Sequence, residues 1–122
     1  MTIRYKNAKT DLTTTNATAV LTPDNATTAV IKSILVSEDS GNADTITLTI
    51  TAGSDVFSLF KVKAVSANGT VELLSAPLVL AESEILKATA ATANRLHVVV
   101  SYMEISYGIA KRILYGRSWR FI

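Results

Sequence analysis

The chain has no cysteine, only one histidine and one tryptophan, two prolines and five glycines. The missing cysteines exclude disulfides, thiolate catalysis and every zinc site built on sulfur. Scarce glycine leaves no pattern of the kind that cradles phosphate. Aromatics make up 7% of the residues, little for a carbohydrate-binding groove. The apolar runs are short, well below the length of a membrane span. Met1 to Thr10 carries charge with no apolar run behind it, so no signal peptide is expected. The Asn-X-Thr triplets at Asn16, Asn25 and Asn68 are therefore read as compositional.

What remains is an apolar, weakly charged chain. Of the 122 residues, 48% are apolar and 18% charged, which suits one globular domain with a real core. Threonine is unusually frequent, and valine and isoleucine are common, as in strands. Ile46, Leu48 and Ile50 alternate with Thr45, Thr47, Thr49 and Thr51, the period of a half-buried strand. Val30 to Val36 is an apolar run closed by the turn cluster Ser37–Asn42. Val56 to Val65 is another, and Asn68-Gly69 after it reads as a hairpin turn returning along Val71–Leu74. Leu78–Leu80 and Ile85–Ala88 read as a further pair around Glu82-Ser83-Glu84. The run from Leu96 to Ile105 is apolar on both faces: Leu96, Val98, Val100 and Tyr102 on one, Val99, Met103 and Ile105 on the other. Such a strand is central to a sandwich or lies in a subunit interface, and Val99, Met103 and Ile105 are the candidate oligomer contacts.

The expected fold is all-β, an antiparallel β-sandwich of jelly-roll or immunoglobulin-like type with about seven to nine short strands. The sandwich spans residues 1–106, with 1–16 as a candidate extended N-terminal arm, and 107–122 form a C-terminal arm. Ser106–Tyr115 has a mixed pattern, helical in spacing but weakened by Gly108 and Gly116.

The C-terminal arm concentrates charge. Up to Ser106 the acids outnumber the bases, ten to eight, whereas Tyr107–Ile122 adds four bases and no acid. The net +2 of the chain is made there. Arg112, Tyr115, Arg117, Trp119, Arg120 and Phe121 are candidate docking residues, because Tyr, Trp and Arg are enriched in binding hot spots. Nucleic acid is the minority reading for this arm, since the body carries no basic stripe. A membrane surface would call for a longer amphipathic helix.

Catalytic candidates are weak. His97 stands alone among Leu96, Val98 and Val99, with no base, nucleophile or ligand beside it in sequence. Glu38, Asp39 and Asp44 are read as a solvated turn rather than a cation loop. Glu82 and Glu84 are read as a solvated edge that discourages strand pairing. Ser101 and Ser106 lack a nucleophile-elbow setting. No enzyme activity, cofactor or metal is expected.

Ala29–Ser37, Ala43–Ile50, Val71–Leu80, Glu84–Ala88 and Val98–Ile105 together resemble small β-sandwich proteins of tailed-bacteriophage virions. The resemblance covers about residues 10–106 and rests on the order of a Thr-rich strand, Pro-Leu-Val-Leu and Ser-Tyr-Met-Glu-Ile. It implies a structural virion protein without enzymatic role: a capsid decoration or cement protein, oligomeric and by preference trimeric, bound to the major capsid protein or other virion proteins. A neck, tail or fibre-adaptor component is the alternative. Ala81-Glu-Ser-Glu84 stands where many relatives carry Gly-Asp, and the chain runs on to Ile122 where most stop near Glu104-Ile105. That extension leaves the position within the virion open.

Overall fold

The computed structural model of the protein describes residues 1–107. These residues form nine strands and no helix: β1 Thr2–Asp11, β2 Thr18–Leu21, β3 Thr27–Glu38, β4 Asp44–Ala52, β5 Asp55–Val65, β6 Thr70–Glu72, β7 Leu78–Leu80, β8 Ile85–Ala90 and β9 Leu96–Ser106. All pairings are antiparallel. One sheet has the order β1-β9-β3, with β6 and β7 both on the outer side of β3. The other has the order β2-β8-β4-β5. The chain passes from sheet to sheet at most connections, and the order is that of a jelly roll whose sixth strand is broken into β6 and β7. Of the two sandwich types expected, the immunoglobulin-like one is set aside by this order.

Alternation builds the core. Ile46, Leu48 and Ile50 of β4 face inward and meet Ile31, Ile34, Val36, Leu96, Val98 and Val100 from β3 and β9. Thr45, Thr47 and Thr49 lie half-buried on the opposite face of β4. Leu80, Leu86 and Leu12 complete the core. The Lys6 ammonium lies 3.3 Å from the buried Glu104 carboxylate near the chain's exit from β9, so the charge entering the core carries a partner.

Two pairings differ from the sequence expectation. Asn68-Gly69 makes no hairpin: β5 pairs with β4, whereas β6 pairs with β3 in the other sheet. The turn crosses the sandwich, closed by the Gly69 N–H donating to the Ser66 carbonyl at 3.0 Å, and of the pair only Asn68 takes a positive φ, of 56°. Likewise β7 pairs with β3 and β8 with β2 and β4, so Leu78–Leu80 and Ile85–Ala88 are not partners. The candidate arm at 1–16 is in fact mostly strand: β1 pairs with β9 from Thr2 to Asp11.

The edge strand β5 is bulged. Ile46 pairs with Lys63 and Leu48 with Phe60, which leaves an extra residue on β5 opposite Thr47. Val62 there has φ 53°, an outlier for a β-branched residue. The Thr47 hydroxyl accepts its N–H at 3.0 Å and holds it in place. Truncating Leu48 to alanine, at a fully buried position in the middle of the core, is expected to cost about 2–5 kcal/mol of unfolding free energy in urea titration.

Candidate functional site

β9 lies between β1 and β3, so its outward side chains sit in the middle of an exposed sheet. Leu96, Val98, Val100, Tyr102 and Glu104 are buried, and Val99, Met103 and Ile105 alternate with them on the outer face. The register extends each into a row across the strands. Ile3, Ile105 and Thr28 form one row. Tyr5, Met103, Val30 and Val79 form the next, apolar or aromatic across four strands. Tyr5 is 80% exposed and Val79 58%. Asn7, Ser101 and Ser33 make a polar band, followed by Lys9, Val99, Leu35 and Glu72. The three residues expected as oligomer contacts thus share one surface. Ile3, Tyr5, Val30, Val79 and Leu35, which complete it, escaped sequence reading because only the register brings them beside β9.

At the other end of the same face, Asp11, His97 and Ser37 are cross-strand neighbours. His97 Nε2 lies 3.2 Å from an Asp11 carboxylate oxygen, and Nδ1 lies 3.7 Å from Asp39. All three side chains are substantially exposed, so these pairings are weak staples between β1, β9 and the β3–β4 turn. Both ring nitrogens face carboxylates, which leaves neither directed at the Ser37 hydroxyl as a base would be. The adjoining groove, lined by Lys9, Asp11, His97 and Val99 among others, is shallow and open.

The acids next to this end are not a solvated turn. Glu38 and Asp44 are buried, at 2% and 7% exposure. The Glu38 carboxylate accepts the Ser40 hydroxyl and the N–H groups of Ser40, Gly41 and Asn68, at 2.8, 3.1 and 2.9 Å for the three N–H donors. It ties the β3–β4 turn to the β5–β6 turn. Burial is the largest single influence and raises its pKa, but the Ser40 hydroxyl and the three N–H groups together outweigh it and lower the pKa from 4.5 to about 2. Asp44 accepts the Thr92 N–H at 3.1 Å. Glu72 spans the β3 bulge: it accepts the Ser33 hydroxyl and the N–H groups of Ile34 and Leu74. Burial raises its pKa, and those hydrogen bonds together outweigh it, for a net downward shift. Among the described residues, no three of His, Cys, Asp and Glu group so as to hold a metal ion.

The docking candidates Arg112, Tyr115, Arg117, Trp119, Arg120 and Phe121 lie outside the described residues, as does most of the mixed segment Ser106–Tyr115. No known protein family matches the chain, and no curated protein matches it.

The Glu38 lock gives a pH dependence of definite sign. Its pKa is lower in the folded state than in the unfolded one, so its contribution is complete above pH 4.5 and is lost as the pH falls through about 2. Urea midpoints measured across that window should fall steeply for the native chain. The Glu38→Gln variant should be less stable at neutral pH and show a flatter profile.

Proposed function

We propose that the protein is a non-enzymatic structural component of a tailed-bacteriophage virion, and within it a capsid decoration or cement protein that acts as a homo-oligomer. The observation that carries this reading is the row Tyr5, Met103, Val30 and Val79 on the outer face of a sheet whose inner face already supplies the core. Exposed apolar area of this kind marks an interaction surface. Charged side chains that would draw attention as chemistry have structural partners instead: Glu38 holds turn N–H groups, Glu72 holds a bulge, and His97 is flanked by Asp11 and Asp39.

The resemblance of Ala29–Ile105 to virion sandwiches supports the placement, and the jelly roll recurs in viral capsid proteins. A fold hosts many functions, so the fold lends only analogy. In this reading the basic, aromatic terminus docks onto a neighbouring virion subunit through Arg112, Arg117, Trp119 and Phe121, and it reaches its partner through charge and aromatic area.

The test is quantitative mass spectrometry of intact particles. A copy number on the scale of the capsid subunits is expected. A number matching a single ring would move the protein to the neck or tail, and absence from the particle would end the proposal. Removal of residues 108–122 is expected to leave the thermal midpoint of the sandwich unchanged while the protein no longer joins the particle. Retention of the purified protein on DNA at low salt, lost as salt rises, would favour a nucleic-acid partner instead.

A further inference from the structure

The exposed face has a symmetry that identifies what it fits. Its four columns are β1, β9, β3 and the broken strand β6/β7. The middle of the face is the β9–β3 boundary. A two-fold axis laid along that boundary, parallel to the strands, places the same face of a second copy over the first with every row opposite itself. Column order is reversed, so β1 of one copy covers β6/β7 of the other, and β9 covers β3.

In two rows the side chains match under this operation. Tyr5 of one copy meets Val79 of the second, and Met103 meets Val30, twice each by symmetry. In the row Lys9, Val99, Leu35 and Glu72, the cation stands on one outer column and the carboxylate on the other. Reversal therefore sets each Lys9 opposite a Glu72 and each Val99 opposite a Leu35. Neither charge meets its like. This is the pattern of an isologous contact, where residue i touches j and j touches i.

The size is sufficient. Four strands spaced about 4.8 Å apart and nine residues of about 3.4 Å each give a face of roughly 19 by 30 Å, or about 600 Å² per copy. The pair then buries on the order of 1,200 Å², at the lower bound for a specific interface. Aligned sheets pack about 10 Å apart with strand directions within about 30°, which an axis parallel to the strands permits.

We infer that the outer face of the β1-β9-β3 sheet binds a second copy of this chain, face to face about a two-fold axis along the β9–β3 boundary. The inference deepens the oligomeric reading above and replaces the trimer implied by the resemblance with a two-fold contact. It stands or falls apart from any role in a virion, because it concerns the purified chain alone.

Cysteine cross-linking tests it without ambiguity, since the chain has no cysteine of its own. Tyr5 and Val79 are both exposed and three strand spacings apart within one copy, about 14 Å, beyond the roughly 7 Å Cα limit for a disulfide. A full-length chain carrying both Tyr5→Cys and Val79→Cys is expected to form a covalent dimer on mild oxidation, while each single variant does not. The native chain is expected to have the mass of a dimer in light scattering. Lys9→Glu should weaken the dimer about tenfold at low salt, by setting carboxylate against carboxylate, with the thermal midpoint of the folded chain at high dilution unchanged. A monomer in solution would overturn the inference. So would a trimer, cross-linking by a single variant in preference to the pair, or a face covered only in the presence of a different virion protein.

Discussion

The placement of β9 constrains the rest of the molecule. It pairs with β1 on one side and β3 on the other, over nearly its whole length. Its inward residues, Leu96, Val98, Val100 and Tyr102, belong to the core, and its outward ones form the middle of the exposed face. Because side chains alternate, a slip of one residue would bury Val99 and Met103 and expose Val98 and Val100. In most half-exposed strands such a slip is opposed by polar residues on the outer face. Here both faces are apolar, so the register depends on the neighbours. Glu104, buried against Lys6 from β1, supplies part of that specificity: a slip would separate the pair. The bulge in β3 between Ile31 and Ser33, held by Glu72, supplies more.

A chain poor in glycine and proline must close its turns by other means. Asn68 and Asn94 take positive φ, which asparagine tolerates better than most residues. Elsewhere carboxylates satisfy the turn N–H groups that no strand reaches. Glu38 serves two turns at once, Asp44 caps a third at Thr92, and Glu84 accepts the N–H of Ala81 in the β7–β8 connection. A buried carboxylate is costly unless several donors converge on it, and on Glu38 four do, which lowers its pKa. The acids at that end of the sandwich are therefore part of the fold's hydrogen bonding rather than a surface charge.

The all-β class and the core were legible because alternation is a local signal. Thr45–Thr51 and Leu96–Ile105 lie where that signal placed strands, with the inward sets it named. Pairing was not legible. Asn68-Gly69 has hairpin chemistry, yet the strands it joins belong to different sheets, and composition carries no record of which sheet a strand enters. Glu38 beside Asp39 reads as solvent-exposed because one of its donors, Asn68 of the β5–β6 turn, is distant in sequence. Part of the candidate face was legible in the same way. Val99, Met103 and Ile105 stand out within one strand, whereas Tyr5 and Val79 join them only through register.

The edges and faces of the sandwich show where association is permitted. A sheet edge invites another strand unless it is blunted. Here β2, β6 and β7 are only three or four residues long. β5 exposes Val56, Phe57 and Val62, but its register against β4 shifts twice, and Lys61 and Lys63 flank the strained Val62. β1 is long and regular, and it carries Arg4, Lys6, Lys9 and Asp11. The outer face of the β2-β8-β4-β5 sheet presents Thr45, Thr47 and Thr49 from β4 beside Lys87 and Thr89 from β8, a hydroxyl-rich and cationic surface. Against four blunted edges and one polar face, the outer face around β9 is left with an apolar row that crosses four strands. Edge-to-edge growth would propagate without limit, whereas a face that pairs about a two-fold axis closes on itself. With the proposed two-fold contact, this distribution of polarity permits closed association through one sheet face rather than open strand addition.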